Sequence, residues 1–290
     1  MNIGFIGFGE VGYEMSKGFN SGDTHHIFVY DPLYEKQETM DRAEKALVSL
    51  YSNPALVAQE NLDVLFVAVP APFAEEAWQA VLPYAAGNTF YVDLSTAGAE
   101  TKQKVNSKME EKGIETFLDG AIMGPLKQSR HEVPIKISGG EAGAFVEWSR
   151  PLGMNATSVS SVPGDATNIK FIRSIFTKGL STLLHEVMEI AEKINLEDTM
   201  LASISQTMNK EPFEDIMNRL ITGNVQHAER RVKEMENVID LIQSYDQQPL
   251  MTEATRNKLQ ALTEENLKDY FNGEAPKDWK SVVKAVNHRE

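Results

Sequence analysis

The chain has 290 residues, with 28 Lys plus Arg against 42 Asp plus Glu and a formal net charge of −14. At about 100–200 residues per domain this length predicts two domains, and the acidic balance speaks against gripping a nucleic-acid backbone, which needs a basic surface. With no Cys in the sequence, disulfides, thiolate nucleophiles, zinc–thiolate sites and iron–sulfur clusters are excluded together.

No apolar run reaches the about 18 residues needed to span a bilayer. The opening MNIGFIGFGE has neither a basic leader nor a cleavage site, so a cytoplasmic protein without membrane or nucleic-acid partners is expected.

Up to residue 163, short apolar runs at 3–6, 26–30, 64–69, 89–92 and 134–137 read as strands. Polar segments such as 11–20 and 100–112 are long enough for helices. Alternation of this kind predicts a parallel sheet covered on both faces. The run 63–70 is apolar on both faces, which suits a central strand. Ser160-Ser161-Val162-Pro163-Gly164 then interrupts the pattern. From 165 to 196, apolar residues at Ile169, Ile172, Phe176, Leu180, Leu183, Val187, Ile190 and Ile194 recur at gaps of three and four, which predicts one long amphipathic helix. Gly179 inside it marks either a close helix crossing or a tolerated weak point. Further helices are expected at 211–221, 225–244 and 251–271. The fold class is therefore α/β: a doubly wound parallel sheet over 1–163, then an all-helical domain over 164–290.

Gly7-Phe8-Gly9-Glu10-Val11-Gly12 is a G-x-G-x-x-G that follows a strand pattern, opens a helix pattern and precedes an acid, Asp31, closing the second strand. In that context it reads as a dinucleotide-binding turn. Gly7 allows the tight turn, Gly9 lets the backbone approach a pyrophosphate, and Gly12 lets helix and strand pack closely. The free N–H groups of the helix start suit phosphates. A carboxylate at Asp31 accepts ribose hydroxyls and repels a 2′-phosphate, and no Arg adjoins it, so NAD is expected in preference to NADP. Asp31 could instead merely cap the turn before Pro32. Val69 and Pro70, ending the run 63–70, and Ser95 are further cofactor-binding candidates.

Four stretches in order resemble the β-hydroxyacid dehydrogenase family, which includes 3-hydroxyisobutyrate and 6-phosphogluconate dehydrogenases. They are the stretch Gly4 to Gly12, Asp93-Leu94-Ser95-Thr96 (similar to D-x-S-T), Asp119-Gly120-Ala121-Ile122-Met123-Gly124 (similar to D-A-P-V-S-G), and Gly164 with Lys170 (similar to G-x-x-x-K-x-x-N). Residues 178–235 resemble a branch with a helical C-terminal domain of the phosphogluconate-dehydrogenase type. Arg173 stands where the family usually has Asn, and Met123 and Pro125 replace a Ser and a Gly.

The resemblance implies hydride transfer between a nicotinamide and a small β-hydroxyacid or its semialdehyde, in a cleft between the two domains, by a homodimer joined through the helical domain. Lys170 is the implied acid/base. Its ammonium would donate a proton to the carbonyl oxygen as the hydride arrives, stabilising the developing alkoxide. Arg173, one helical turn away, could tune that amine or pair with a substrate carboxylate; a structural salt bridge is an equal alternative. Ser95, Thr96, Met123 and Gly124 are substrate-binding candidates, although Thr96 could instead cap the helix that follows. His227, Arg230, Arg231 and Lys233 form a basic cluster, with Arg231 the candidate for an anionic substrate; a solvated helix face is the plainer reading. No His, Asp or Glu spacing resembles a metal site. Two rival functions are an imine reductase on the same architecture and a non-catalytic NADH-binding protein. Imine reductases typically carry Asp or Tyr where Lys170 stands.

Overall fold

The computed structural model describes residues 1–21 and 25–288. Its chain divides into two compact units, Met1–Ile175 and Phe176–Glu290.

The first unit is built on an eight-stranded sheet: β1 Asn2–Ile6, β2 His26–Tyr30, β3 Ser49–Tyr51, β4 Val64–Val67, β5 Phe90–Asp93, β6 Phe117–Ile122, β7 Ile135–Ser138 and β8 Ala156–Ser160. The order across it is β3-β2-β1-β4-β5-β6-β7-β8. Between the strands run α1 Glu10–Phe19, α2 Gln37–Ala46, α3 Pro54–Ala58, α4 Ala74–Val81, α5 Ala99–Glu110, α6 Leu126–Ser129 and α7 Ala142–Ser149. Strand order reverses at β1 and β4, where a doubly wound sheet opens a crevice beyond the strand ends.

Residues alternate between the two faces. Ile3 and Phe5 of β1, with Val64 and Phe66 of β4, join one buried cluster; Ile6, Leu65 and Val67 join the other. Both faces are thus covered, as the run 63–70 predicts. One pairing departs from the expected all-parallel sheet: β7 lies antiparallel to β6. Only the four-residue helix α6 and a 3-10 turn lie between them, too little for the crossover that parallel neighbours need.

Three strands go beyond those expected. β3 has three residues, and β8 reads Ala-Thr-Ser-Val-Ser with no buried position. β6 is buried throughout but carries Asp119 and Gly120 in its middle, which interrupt its apolar run.

The helical elements are α8 Asp165–Lys193, α9 Glu197–Met208, α10 Phe213–Gln243, α11 Leu250–Glu264, α12 Leu267–Tyr270 and α13 Trp279–Asn287. The two compact units divide inside α8, beyond the boundary expected at 163–164. α8 stops short of 196 because Asn195 turns left-handed (φ 56°). Helix α9 has no buried residue, hence no apolar stripe to announce it. The segments 211–221 and 225–244 form one helix, α10: Gly223 weakens it by about 1 kcal/mol against Ala but does not break it. Asn266 (φ 48°) splits the expected 251–271 helix into α11 and α12. Gly179 marks no crossing among the described residues of this chain, since a Cβ there would meet nothing within 4 Å.

Within the second unit, Ala228 and Val232 of α10 pack with Leu259 of α11, and Val225 packs with Leu267, Val282 and Ala285. The Glu186 carboxylate of α8 accepts the N–H groups of Met251 (2.7 Å) and Thr252 (2.8 Å) and the Thr252 hydroxyl (2.6 Å), supplying the cap that α11 otherwise lacks. Along α8, Ile172 and Phe176 of the apolar stripe remain 67% and 51% exposed, so this part of the stripe is a surface feature of the chain. No helix among the described residues is long and apolar enough to cross a membrane.

Candidate active site

The turn after β1 has the geometry its glycines demand. Gly7 has φ +99°, and a Cβ there would lie 2.4 Å from the Ala68 carbonyl oxygen. A Cβ on Gly12 would lie 2.4 Å from the Gly7 carbonyl oxygen, so α1 starts against the turn itself. At Gly9 a Cβ would meet nothing within 4 Å; that side of the turn is open. Gly9 precedes α1 and offers no side-chain cap, which leaves the first-turn N–H groups of Glu10, Val11 and Gly12 able to meet an anion. Phe8 is buried, and its backbone N–H donates to Asp31 Oδ2 (2.9 Å).

Asp31 also accepts the Leu33 N–H on Oδ1 (2.9 Å). It therefore caps the turn around Pro32 and ties that turn to the glycine loop. Beside it lies a cavity of about 370 Å³ lined by Gly7, Tyr30, Pro32, Val69, Phe73 and Glu76. Pro70 is exposed next to it. Burial, then the carboxylates of Asp31 and Glu76, push the Tyr30 phenol pKa above its ordinary value. The cavity is thus mostly apolar with an acidic rim. A flat base beside a diol fits such walls, and the open Gly9 face fits a pyrophosphate, so these residues suit a dinucleotide. Glu76 escaped the sequence reading, because a Glu on the outer face of an amphipathic helix carries no signal of its own.

Past β5, Ser95 is buried and Thr96 exposed. The Ser95 hydroxyl accepts from the Ala97 N–H (3.3 Å) and from Lys102 Nζ (3.4 Å). Thr96 does not cap α5, whose N-cap is Gly98. Past β6, Met123 and Gly124 are half-buried. Arg173 Nη1 donates to the Met123 carbonyl (3.0 Å), bringing this turn of α8 against the β6 exit. Lys170, half-buried, lies one helical turn earlier on α8.

What fixes the start of α8 is Asp119. Its Oδ2 accepts the N–H groups of Gly164 (3.1 Å) and Thr167 (2.9 Å) and the Ser138 hydroxyl (3.3 Å); its Oδ1 accepts the Thr167 hydroxyl (2.7 Å). Asp93 is likewise engaged, accepting Trp78 Nε1–H (2.7 Å) and the Ser95 N–H (2.8 Å). The two acids that open the substrate-like motifs are therefore buried anchors. Lys102, read from sequence as one polar residue in a helix, is buried between them.

The basic cluster belongs to the second unit. Arg230 pairs with Glu234 (2.6 Å) and is exposed; half-buried Arg231 donates to Asn224 Oδ1; His227 and Lys233 are exposed. Among the described residues no group of His, Asp and Glu could hold a metal ion.

Residues 2–162 match the NAD-binding domain of 6-phosphogluconate dehydrogenase, and residues 191–262 match a domain of unknown function, DUF1932. The chain is 28% identical over 264 residues to an uncharacterized 28.5 kDa protein of Methanothermus fervidus, covering 91% of this chain and 100% of that one. It is similar to the solved conserved protein MTH1747, of unknown function and structurally similar to 3-hydroxyacid dehydrogenases (28% identity, TM-score 0.60, 95% and 100% covered). An imine reductase variant from Myxococcus stipitatus, in complex with NAD+, shares the fold (15% identity, TM-score 0.75, 99% of both chains).

Proposed function

Because the chain belongs to the family defined by the NAD-binding domain of 6-phosphogluconate dehydrogenase, we propose that it oxidises a small β-hydroxyacid, or reduces its semialdehyde, with Lys170 as acid/base. The observation that carries this reading is the Arg173–Met123 hydrogen bond, which sets the Lys170-bearing turn of α8 at the exit of β6. In such sheets ligands bind beyond the carboxyl ends of the strands.

Bound NAD(H) supplies or accepts the hydride. In the reductive direction the Lys170 ammonium donates a hydrogen bond and then its proton to the substrate carbonyl oxygen. In oxidation the neutral amine takes that proton back. Ser95, Thr96 and the Gly124 N–H offer donors to a substrate carboxylate, and the Arg173 guanidinium adds a cation suited to one. Gly7, Gly9 and Gly12 with the start of α1 would hold the pyrophosphate, Asp31 the adenosine ribose, and Val69 with its neighbours the base. The acidic rim of Asp31 and Glu76 favours NAD over NADP, since a 2′-phosphate would face both carboxylates. A homodimer covering the exposed stripe of α8 completes the reading; the solution mass by light scattering tests that part. Arg231 is retained as a secondary candidate for binding an anionic substrate.

The test is a panel of hydroxyacids, semialdehydes and cyclic imines followed by NADH absorbance, with NADPH in parallel. Lys170→Ala should lower kcat/KM by about 10²–10⁴-fold while NADH still binds. Turnover of imines with none of hydroxyacids selects an imine reductase. Tight NADH binding with no turnover selects a non-catalytic nucleotide-binding protein.

A further inference from the structure

Lys102 is fully buried, with none of its side chain exposed. Its Nζ lies 2.7 Å from Asp93 Oδ1 and 3.4 Å from Asp119 Oδ1, both carboxylates equally buried. It also donates to the carbonyl oxygens of Asp93 (3.1 Å) and Ser95 (3.0 Å) and reaches the Ser95 hydroxyl (3.4 Å). Taking an ammonium and two carboxylates out of water is costly, and an apolar side chain of similar volume often packs as well or better. What this cation can do that a Met could not is hold acceptors in place. We infer that Lys102 is a positioning residue for the proposed hydride transfer, holding the Ser95 hydroxyl and, through Asp119, the N-terminus of the helix that carries Lys170.

Two geometric consequences support this role. First, the Ser95 oxygen accepts from both Lys102 Nζ and the Ala97 N–H. A hydroxyl has two acceptor lone pairs and one proton, so donors on its lone-pair side leave its own proton for a further acceptor. Second, Asp119 receives the Lys102 charge on the carboxylate that binds Gly164 N–H, Thr167 N–H and the Thr167 hydroxyl. Thr167 is one helical turn before Lys170, so the same carboxylate sets the rotation of that turn of α8. Asp93 and Asp119 sit opposite each other in the β5–β6 register, and one ammonium reaches both. The substrate-side hydroxyl and the acid/base helix are therefore referred to a single buried charge.

The inference rests on the reading of Lys170 as acid/base, and the experiment separates the two. Lys102→Met would leave two buried carboxylates without their cation, so the working variant is Lys102→Met with Asp93→Asn, which keeps the net charge of the buried group, read against Asp93→Asn alone, which by itself takes one acceptor from Trp78 Nε1–H or Ser95 N–H. If the double variant fails to fold, Thr167→Val, which cuts only the hydroxyl link from Asp119 to α8, reads the 164–170 half alone. Amide hydrogen exchange on the full chain should speed up at 95–97 and 164–170 while the glycine turn keeps its protection and NADH its affinity. Misplacement of reacting groups by about 1 Å can cost about 10²-fold, so kcat/KM should fall by about that factor, with a rise in KM for the acid. A smaller folded fraction alone would lower kcat and leave KM unchanged. Unaltered exchange at both segments, or faster exchange with kcat/KM and KM like wild type, overturns the positioning role. If wild-type protein turns over nothing in the panel, the Lys170 reading falls. The exchange data then decide separately whether Lys102 holds the two segments.

Discussion

The Asp31 carboxylate accepts the backbone N–H of Phe8 at 2.9 Å, so the acid that closes β2 also clamps the turn after β1. Its other oxygen holds the Leu33 N–H. Asp31 therefore serves folding, and on the proposed reading ligand selection as well: Asp31→Ala should cost stability by about 1–3 kcal/mol through the orphaned N–H groups besides weakening NADH.

Glu76 is the cleaner probe of cofactor choice. It is exposed and lines the same cavity. Glu76→Gln should melt within about 0.5 kcal/mol of wild type yet raise the affinity for NADPH relative to NADH. Because the effect is electrostatic, it should shrink as salt rises. Fluorescence titration of both nucleotides at two ionic strengths reads it; an unchanged ratio at low salt removes Glu76 from the selectivity argument.

Gly9 and Gly12 should respond oppositely to the same added methyl. Gly12→Ala forces a Cβ toward the Gly7 carbonyl oxygen, and overpacking of this kind costs about 1–3 kcal/mol. Gly9→Ala has open space around it, so its melting curve should match wild type while NADH binding weakens. Equal NADH affinity for Gly9→Ala and wild type would mean that no pyrophosphate approaches there.

His131 makes stability depend on pH. It is buried, its ring lies 4.9 Å from that of Phe19, and its Nδ1 has no hydrogen-bond partner among the described residues. Burial lowers its pKa, and Arg130 and His25 push the same way, against Glu132 and the Leu152 carbonyl. With the folded pKa below the unfolded one, the unfolded chain binds more protons as pH falls through about 6.5. This contribution is therefore complete above that value and is lost on acidification. Thermal melts between about pH 7.5 and 5.5 should fall less steeply for His131→Gln than for wild type. Parallel slopes would rule out His131 as the source.

Glu186 should behave as a helix cap at a distance in sequence. Glu186→Ala orphans two N–H groups at the start of α11, and a cost of about 1–2 kcal/mol in urea unfolding is expected. A change within error would show that water replaces the carboxylate.

The glycine turn, the strands β1, β2, β4, β5 and β7 and the span of α8 were legible from sequence because each rests on a local requirement. A positive φ, a period of two or a period of 3.6 shows in neighbouring residues wherever the chain goes. β6 was hidden because Asp119 and Gly120 break its apolar run; the buried Asp119 carboxylate is tolerated there because Gly164, Thr167 and Ser138 supply donors and Lys102 a counter-charge. The direction of β7 followed from a short connection rather than from its own residues. Lys102 is the plainest case. Its sequence neighbours are polar and predict a solvated face, but two carboxylates on adjacent strands draw it inside. Sequence by itself determined the glycine turn, the apolar strands and the long amphipathic helix, since backbone geometry and periodicity are properties of neighbours. Only the tertiary structure decided which charges are buried and what they hold, since a buried ion is stable only where distant parts of the chain bring it counter-charges and donors.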